Sequence, residues 1–208
     1  MSTGGRRART EQAEQTRALI LATAERLFAE HGVHAVSNRQ VGEAAGQGNN
    51  AAVAYHFGTK TDLVRAIIRR HAVPTERIRR RMLAVHAGSG DLRDWVTCVV
   101  RPITDHLADL GHPSWYARFS AQLMTEPALL EVATEEFRHA AGLNAVIDGL
   151  QRCLPDLSEV VRQERTHMAH TLLVHFCAQR EREAAPAWEV TAAMLIDAIV
   201  GLFTAPVT

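Results

Sequence analysis

With 208 residues, 47% of them hydrophobic, the chain is long enough to bury a sizeable core as one large domain or two small ones, and its formal net charge at pH 7 is zero. No stretch of about 18 uncharged apolar residues appears, which excludes an obvious membrane span, and the opening MSTGGRRART lacks the apolar core of a signal peptide, so a cytoplasmic protein is expected. Aromatics are few, alternating apolar runs are missing, and Ala, Leu, Arg and Glu recur throughout, so the expected fold class is all-α.

In chain order, residues 1–10 read as a flexible basic arm in which Arg6, Arg7 and Arg9 are placed to reach a minor groove or simply to solubilise the terminus. A helix is expected over 12–30, where Leu19, Ile20, Ala24, Leu27 and Phe28 recur at helical spacing and Gly32 closes the end. The stretch SNRQVGEAAGQGNNAAVAYHFGTK (37–60) then reads as two short helices about a glycine-marked turn. Ser37 with Gln40 three residues on forms a capping box, Val41, Ala44 and Ala45 make a small apolar face, and Gly46 and Gly48 bracket the turn. Asn49 or Asn50 is expected to cap the second helix. That is the outline of a helix-turn-helix, whose second helix lies in the DNA major groove. Asn49, Asn50 and Ala51 then face bases, asparagine pairing with adenine and alanine touching a thymine methyl. Ser37, Arg39, Tyr55, His56 and Lys60 suit phosphates. A plain helical hairpin with solvated asparagines fits the same spacing.

The run Tyr55-His56-Phe57-Gly58-Thr59-Lys60 followed by Asp62-Leu63, after Ala-Gly and a short polar helix, resembles the DNA-binding end of the TetR family of transcriptional regulators. The similarity covers about the first quarter of the chain. The segment from Gly46 to Phe57 is one residue longer than the family's commonest spacing, with Gln47-Gly48 in place of a single apolar residue. This leaves the base-reading register open by one position. The resemblance implies a non-enzymatic repressor, with no catalytic residue, metal or cofactor. It implies a homodimer through the last two helices, with double-stranded operator DNA and a small apolar effector as partners. Domains are accordingly expected at 11–60 for DNA binding and 61–208 for sensing and dimerisation. Charge agrees: residues 1–83 hold 14 Arg and Lys against 7 Asp and Glu, and 84–208 hold 9 against 16. A basic front and an acidic back orient the molecule on a polyanion.

Beyond the motif, a helix is expected from Thr61 until Pro74 breaks it, and another over 75–86 whose Arg77 and Arg79-Arg80-Arg81 form a solvated face. Further helices are expected at 91–110, 114–124, 127–153, 157–183 and 188–203, between Gly- and Pro-marked breaks that include Pro155. Trp95, Val99, Trp115, Tyr116, Phe119 and Met124 are the candidate effector-cavity lining, a set that also suits ordinary core. The last helix is apolar nearly all round, which calls for cover from a second subunit. Leu172, Leu173, Phe176, Met194, Ile196, Ile199 and Val200 are the candidate interface, a central core helix of a monomer being the alternative.

A competing class is a metal-binding bundle in which Glu136-x-x-His139 and Glu164-x-x-His167 each place a carboxylate and an imidazole on one helix face, as di-iron bundles do. The matching inward glutamates from two other helices are missing over 91–124. Cys98, Cys153 and Cys177 lack metal-site spacing and are expected as buried reduced thiols.

Overall fold

The computed structural model describes residues 3–49, 51–138, 140–154 and 157–207, the side chains of 3–6 excepted. Asn50, His139 and Pro155, each named above, fall outside the described residues, as does the side chain of Arg6. The described chain is helical throughout and contains no strand. In order come α1 (Thr3–His31), α2 (Asn38–Ala44), α3 (Ala52–Phe57), α4 (Lys60–His86), α5 (Leu92–Leu110), α6 (Tyr116–Met124), α7 (Pro127–Phe137), α8 (Ala141–Cys153), α9 (Glu159–Arg180) and α10 (Trp188–Thr204).

Two apolar clusters organise these helices. The first is built on the α1 stripe: Ile20, Ala24 and Phe28 meet Val41 of α2, Val53 of α3 and Leu63 and Ile67 of α4, all with no exposed surface. It continues into Phe119 of α6 and Leu129 of α7, so the small head has no core wholly its own. The second joins α5, α9 and α10 through Val96, Val100, Leu173, Leu195 and Ile199. Of the three cysteines, all reduced, Cys98 and Cys177 are buried while Cys153 is half-buried.

Four expectations need correction. α1 starts at Thr3, so the stretch expected as an arm is helical from there, where Arg7 pairs with Glu11 one turn on at 3.0 Å. Pro74 does not end a helix. α4 runs through it, because buried Ile67, Ile68 and His71 before it and Thr75 and Arg79 after it lie on one packed face. Arg79 is thereby withdrawn from the arginine run expected to be solvated, with 5% of its surface exposed. The helix expected over 127–153 is two, α7 and α8. At the break the Glu76 carboxylate accepts the Gly142 N–H at 2.7 Å, capping the new helix from another element.

α10 also differs from the all-round burial expected of it. Ile196 and Ile199, with Leu173 of α9, are 5%, 3% and 3% exposed and belong to the protomer's own core, because α5 covers that side of α10. Met194 is exposed, and Leu172, Phe176 and Val200 are half-buried.

Candidate nucleic-acid interface and effector cavity

The start of α2 is fixed by the capping box: Ser37 Oγ accepts the Gln40 N–H at 3.2 Å while the Ser37 N–H donates to Gln40 Oε1 at 2.8 Å. Arg39, the second residue of α2, is exposed and donates to Glu43 Oε1 at 2.8 Å, which raises its pKa above the ordinary arginine value. The turn after α2 places Gly46 at φ +67°, where a side chain would be strained. Asn49 does not cap α3 directly. Its Oδ1 accepts the Ala51 N–H at 2.9 Å, and Ala51 itself, without a capping side chain, precedes the helix.

α3 has only six residues, and its orientation is set by two of them. Val53 and Phe57 are buried in the head core, and Arg17 of α1 lies over the Phe57 ring at 4.7 Å. Helical geometry then sends Ala51, Ala54 and Tyr55 outward, and Tyr55 is 85% exposed, a large aromatic with no internal use. His56 is half-buried against it, ring centroids 5.1 Å apart. Gly58 at φ +80° ends the helix, and Thr59 with Asp62 forms a second capping box that starts α4 and lowers the Asp62 pKa through the Thr59 bonds. Lys60 is half-buried and donates to the Val33 carbonyl at 3.1 Å, tying α4 to the α1–α2 connection. An ammonium has three donors, so that bond leaves two for other oxygens.

Behind the head lies a cavity of about 390 Å³ bounded by α4 to α9. Val99, Tyr116 and Met124 of the expected set line it. Trp95, Trp115 and Phe119 do not. Trp95 is buried over Gly149 with its Nε1–H on the Ser89 carbonyl at 2.9 Å, Trp115 stacks under Arg118, and Phe119 fills the first core beside Phe28. The walls that composition did not point to come from Ile103, Leu107, Leu130, Ile147 and Val174.

Between cavity and head runs a buried polar chain that the sequence reading missed. Glu25 of α1 contacts His71 Nε2 of α4 at 2.9 Å, His71 Nδ1 contacts His106 Nε2 of α5 at 2.8 Å, and the Tyr116 ring of α6 stacks on His71 at 3.8 Å. Glu25, His71 and His106 are at most 5% exposed. Burial, then the neighbouring His71, drives the His106 pKa down to about 4. A signal was present: Glu25 sits four after Leu21 and three before Phe28, and His71 four after Ile67, so both lie on apolar stripes. A second buried carboxylate, Glu181 at the end of α9, accepts the Ala117 and Arg118 N–H groups at the start of α6.

The metal alternative fails on its first carboxylate. Glu136 accepts from Arg69 Nε at 2.6 Å and Nη2 at 2.8 Å, and Glu164 and His167 are exposed on α9. Among the described residues no three His, Cys, Asp or Glu side chains gather to hold an ion.

The family model for bacterial regulatory proteins of the tetR family matches residues 20–67, and that for the tetracyclin repressor-like C-terminal domain matches residues 97–205. No curated protein matches. Among solved structures, the hemolysin II transcriptional regulator HlyIIR is similar at 19% identity, covering 93% of this chain and 99% of that one with a TM-score of 0.62. NalD, the secondary repressor of the MexAB-OprM multidrug efflux pump in Pseudomonas aeruginosa, is similar at 25% identity, covering 91% and 96% with a TM-score of 0.60. A TetR family transcription regulator from Marinobacter aquaeolei is similar at 22% identity, covering 91% and 97%, with a TM-score of 0.58.

Proposed function

The chain belongs to the TetR family of DNA-binding bacterial regulatory proteins, and on that premise we propose that it is a homodimeric repressor that holds a pseudo-palindromic operator and leaves it when a small apolar molecule fills the α4–α9 cavity. The carrying observation is α3: a six-residue helix pinned by Val53 and Phe57 that turns Ala51, Ala54 and Tyr55 to the outside. Exposure of that kind has no stabilising use in the free protein and suits a groove. Asn49, Asn50 and Ala51 face bases in this reading, with Ser37, Arg39, Tyr55, His56 and Lys60 on phosphates.

The second subunit docks on the outer face of α9 and α10. Met168, Val190 and Met194 are 52%, 57% and 56% exposed there, beside Leu172, Phe176 and Val200. Ala193, Ala198 and Gly201 on the same side of α10 allow close approach. Two-fold pairing of that face sets two α3 helices against half-sites about 34–36 Å apart, one turn of duplex. No described helix is long and apolar enough to cross a membrane, and a cytoplasmic site of action follows from the DNA partner.

Release runs through α6. Its Tyr116, Leu123 and Met124 line the cavity while its Phe119 stacks on Phe28 of the head at 6.4 Å. A ligand that displaces α6 therefore moves α1, and it shifts the equilibrium by as much as it prefers the DNA-incompetent arrangement. Two variants test the assignment by anisotropy titration. Lys60→Ala should weaken matched and random duplexes alike and reduce the salt slope by about one. Asn50→Ala should cost about 1–3 kcal/mol on the matched site only. Identical behaviour of the two on both duplexes would refute the roles.

A further inference from the structure

The charge pattern of the cavity selects its ligand. Most of its wall is aliphatic or aromatic. The charged side chains on it are Arg79 and Arg138, His170 belongs to the same lining, and no Asp or Glu of the described residues lines it. Three of its hydroxyls are turned back on their own helices: Thr75 Oγ1 donates to the His71 carbonyl at 2.8 Å, Ser120 Oγ to the Tyr116 carbonyl at 2.8 Å and Thr134 Oγ1 to the Leu130 carbonyl at 2.8 Å. They offer an entering molecule lone pairs and no spare proton.

Arg79 adds a buried charge with an unmet donor. It is buried, its Nη1 donates to Glu76 Oε2 at 2.9 Å, and its Nε–H has no hydrogen-bond partner. Glu76 cannot neutralise it alone, since its other oxygen accepts the Gly142 N–H at 2.7 Å and lies 3.5 Å from Arg80 Nε. A buried guanidinium with an unmet donor and a shared counter-charge is costly in the empty protein, and a second carboxylate relieves that cost. A cationic amphiphile meets the opposite field and has no acid on the wall to pair with.

We propose that this cavity takes an apolar monocarboxylic acid, its carboxylate read by Arg79 and its hydrocarbon body laid along Val99, Ile103, Leu107 and Ile147. The inference rests on the effector-released reading above and narrows it to a chemical class. Arg138, exposed at the rim, adds attraction for the incoming anion.

Three ligands of equal chain length test the class on the unchanged full-length protein: decanoate, decanol and decyltrimethylammonium, titrated by calorimetry. Decanoate should bind at least about tenfold more tightly than decanol, the size of one charge-assisted hydrogen bond, and the cation should bind weakest. Arg79→Met should bring decanoate down to the level of decanol and leave decanol unchanged. Equal binding of all three, the reverse order, or binding of none overturns the proposal, and this series stands even where Arg79→Met does not fold. Operator affinity is read separately with and without decanoate. Binding of decanoate with no change in DNA affinity would leave the ligand class standing and refute release instead.

Discussion

Glu181 offers the sharpest test of how α6 is held. It is 1% exposed, and its carboxylate takes hydrogen bonds from Ser114 Oγ at 2.9 Å, Ala117 N at 3.1 Å, Arg118 N at 2.9 Å and Arg118 Nε at 3.3 Å. Two of those donors are orphan amides at the start of α6, so a side chain from the end of α9 does the work of an N-cap that Trp115 does not supply. Replacing Glu181 by Gln keeps the volume and removes the charge. The amide nitrogen must then face one donor pair. Its better choice is the Ser114–Ala117 side, where the serine hydroxyl can reverse its role but the Ala117 N–H loses its acceptor. One unpaired buried amide costs about 1–3 kcal/mol, and losing the charge opposite Arg118 weakens a bond worth about 1.5–3 kcal/mol. These overlap, so Glu181→Gln should destabilise by about 3 kcal/mol and Glu181→Ala by about 4 kcal/mol, the range for breaking a buried pair. For a chain of this length, about 3 kcal/mol lowers the melting temperature by roughly 6–12 °C. Urea titration at fixed protein concentration is the assay, since association adds to apparent stability. A loss below about 1 kcal/mol for Gln, or Gln more damaging than Ala, would refute the capping argument.

Other consequences follow from the same structure. Gly149→Ala, normally worth about 1 kcal/mol of stabilisation inside a helix, should instead destabilise by about 1–3 kcal/mol in urea, because the new Cβ would lie 2.3 Å from the Trp95 ring. His106 binds its proton only near pH 4 when folded but near 6.5 when unfolded. The unfolded state therefore holds more protons between those values, and stability rises with pH across that window. Acidification from pH 6.5 to 4 should remove about 3 kcal/mol through this group, and His106→Gln should flatten that part of the pH–stability curve. Met194→Arg places a charge on an exposed face of the protomer, so sedimentation should show monomers of unchanged helicity with weakened operator binding. Persistence of a full-strength dimer would refute the α9–α10 interface.

The parts legible in the sequence are those fixed by neighbours in the chain. The α2 capping box, the Gly46 turn and the apolar spacing of α1 need only three or four residues each, and the structure contains all three. Pro74 misled because a proline's local cost is outweighed when both flanks of a helix are packed, here through Ile67 and Ile68 on one side and Thr75 and Arg79 on the other. The α7–α8 break was invisible for the converse reason: its cap, Glu76, lies 66 residues away from Gly142. Apolar residues on α10 carry no mark telling protomer core from outer face, so the sequence does not separate Ile196 and Ile199, which α5 covers, from exposed Met194. The cavity set erred similarly, because Trp95 and Phe119 are as suited to tight packing as to a void. Buried Glu25 and His71 were readable from their stripe positions, but what they touch on α5 and α6 was not.

The central claim is that two copies of this chain present paired α3 helices to one duplex. Selection of bound sequences from a random duplex pool tests it most directly. The account predicts an enriched motif with two-fold symmetry and half-sites about 10–10.5 base pairs apart, or a multiple of that spacing. Enrichment of a single unrepeated half-site, or no enrichment above the input pool at low salt, would contradict it.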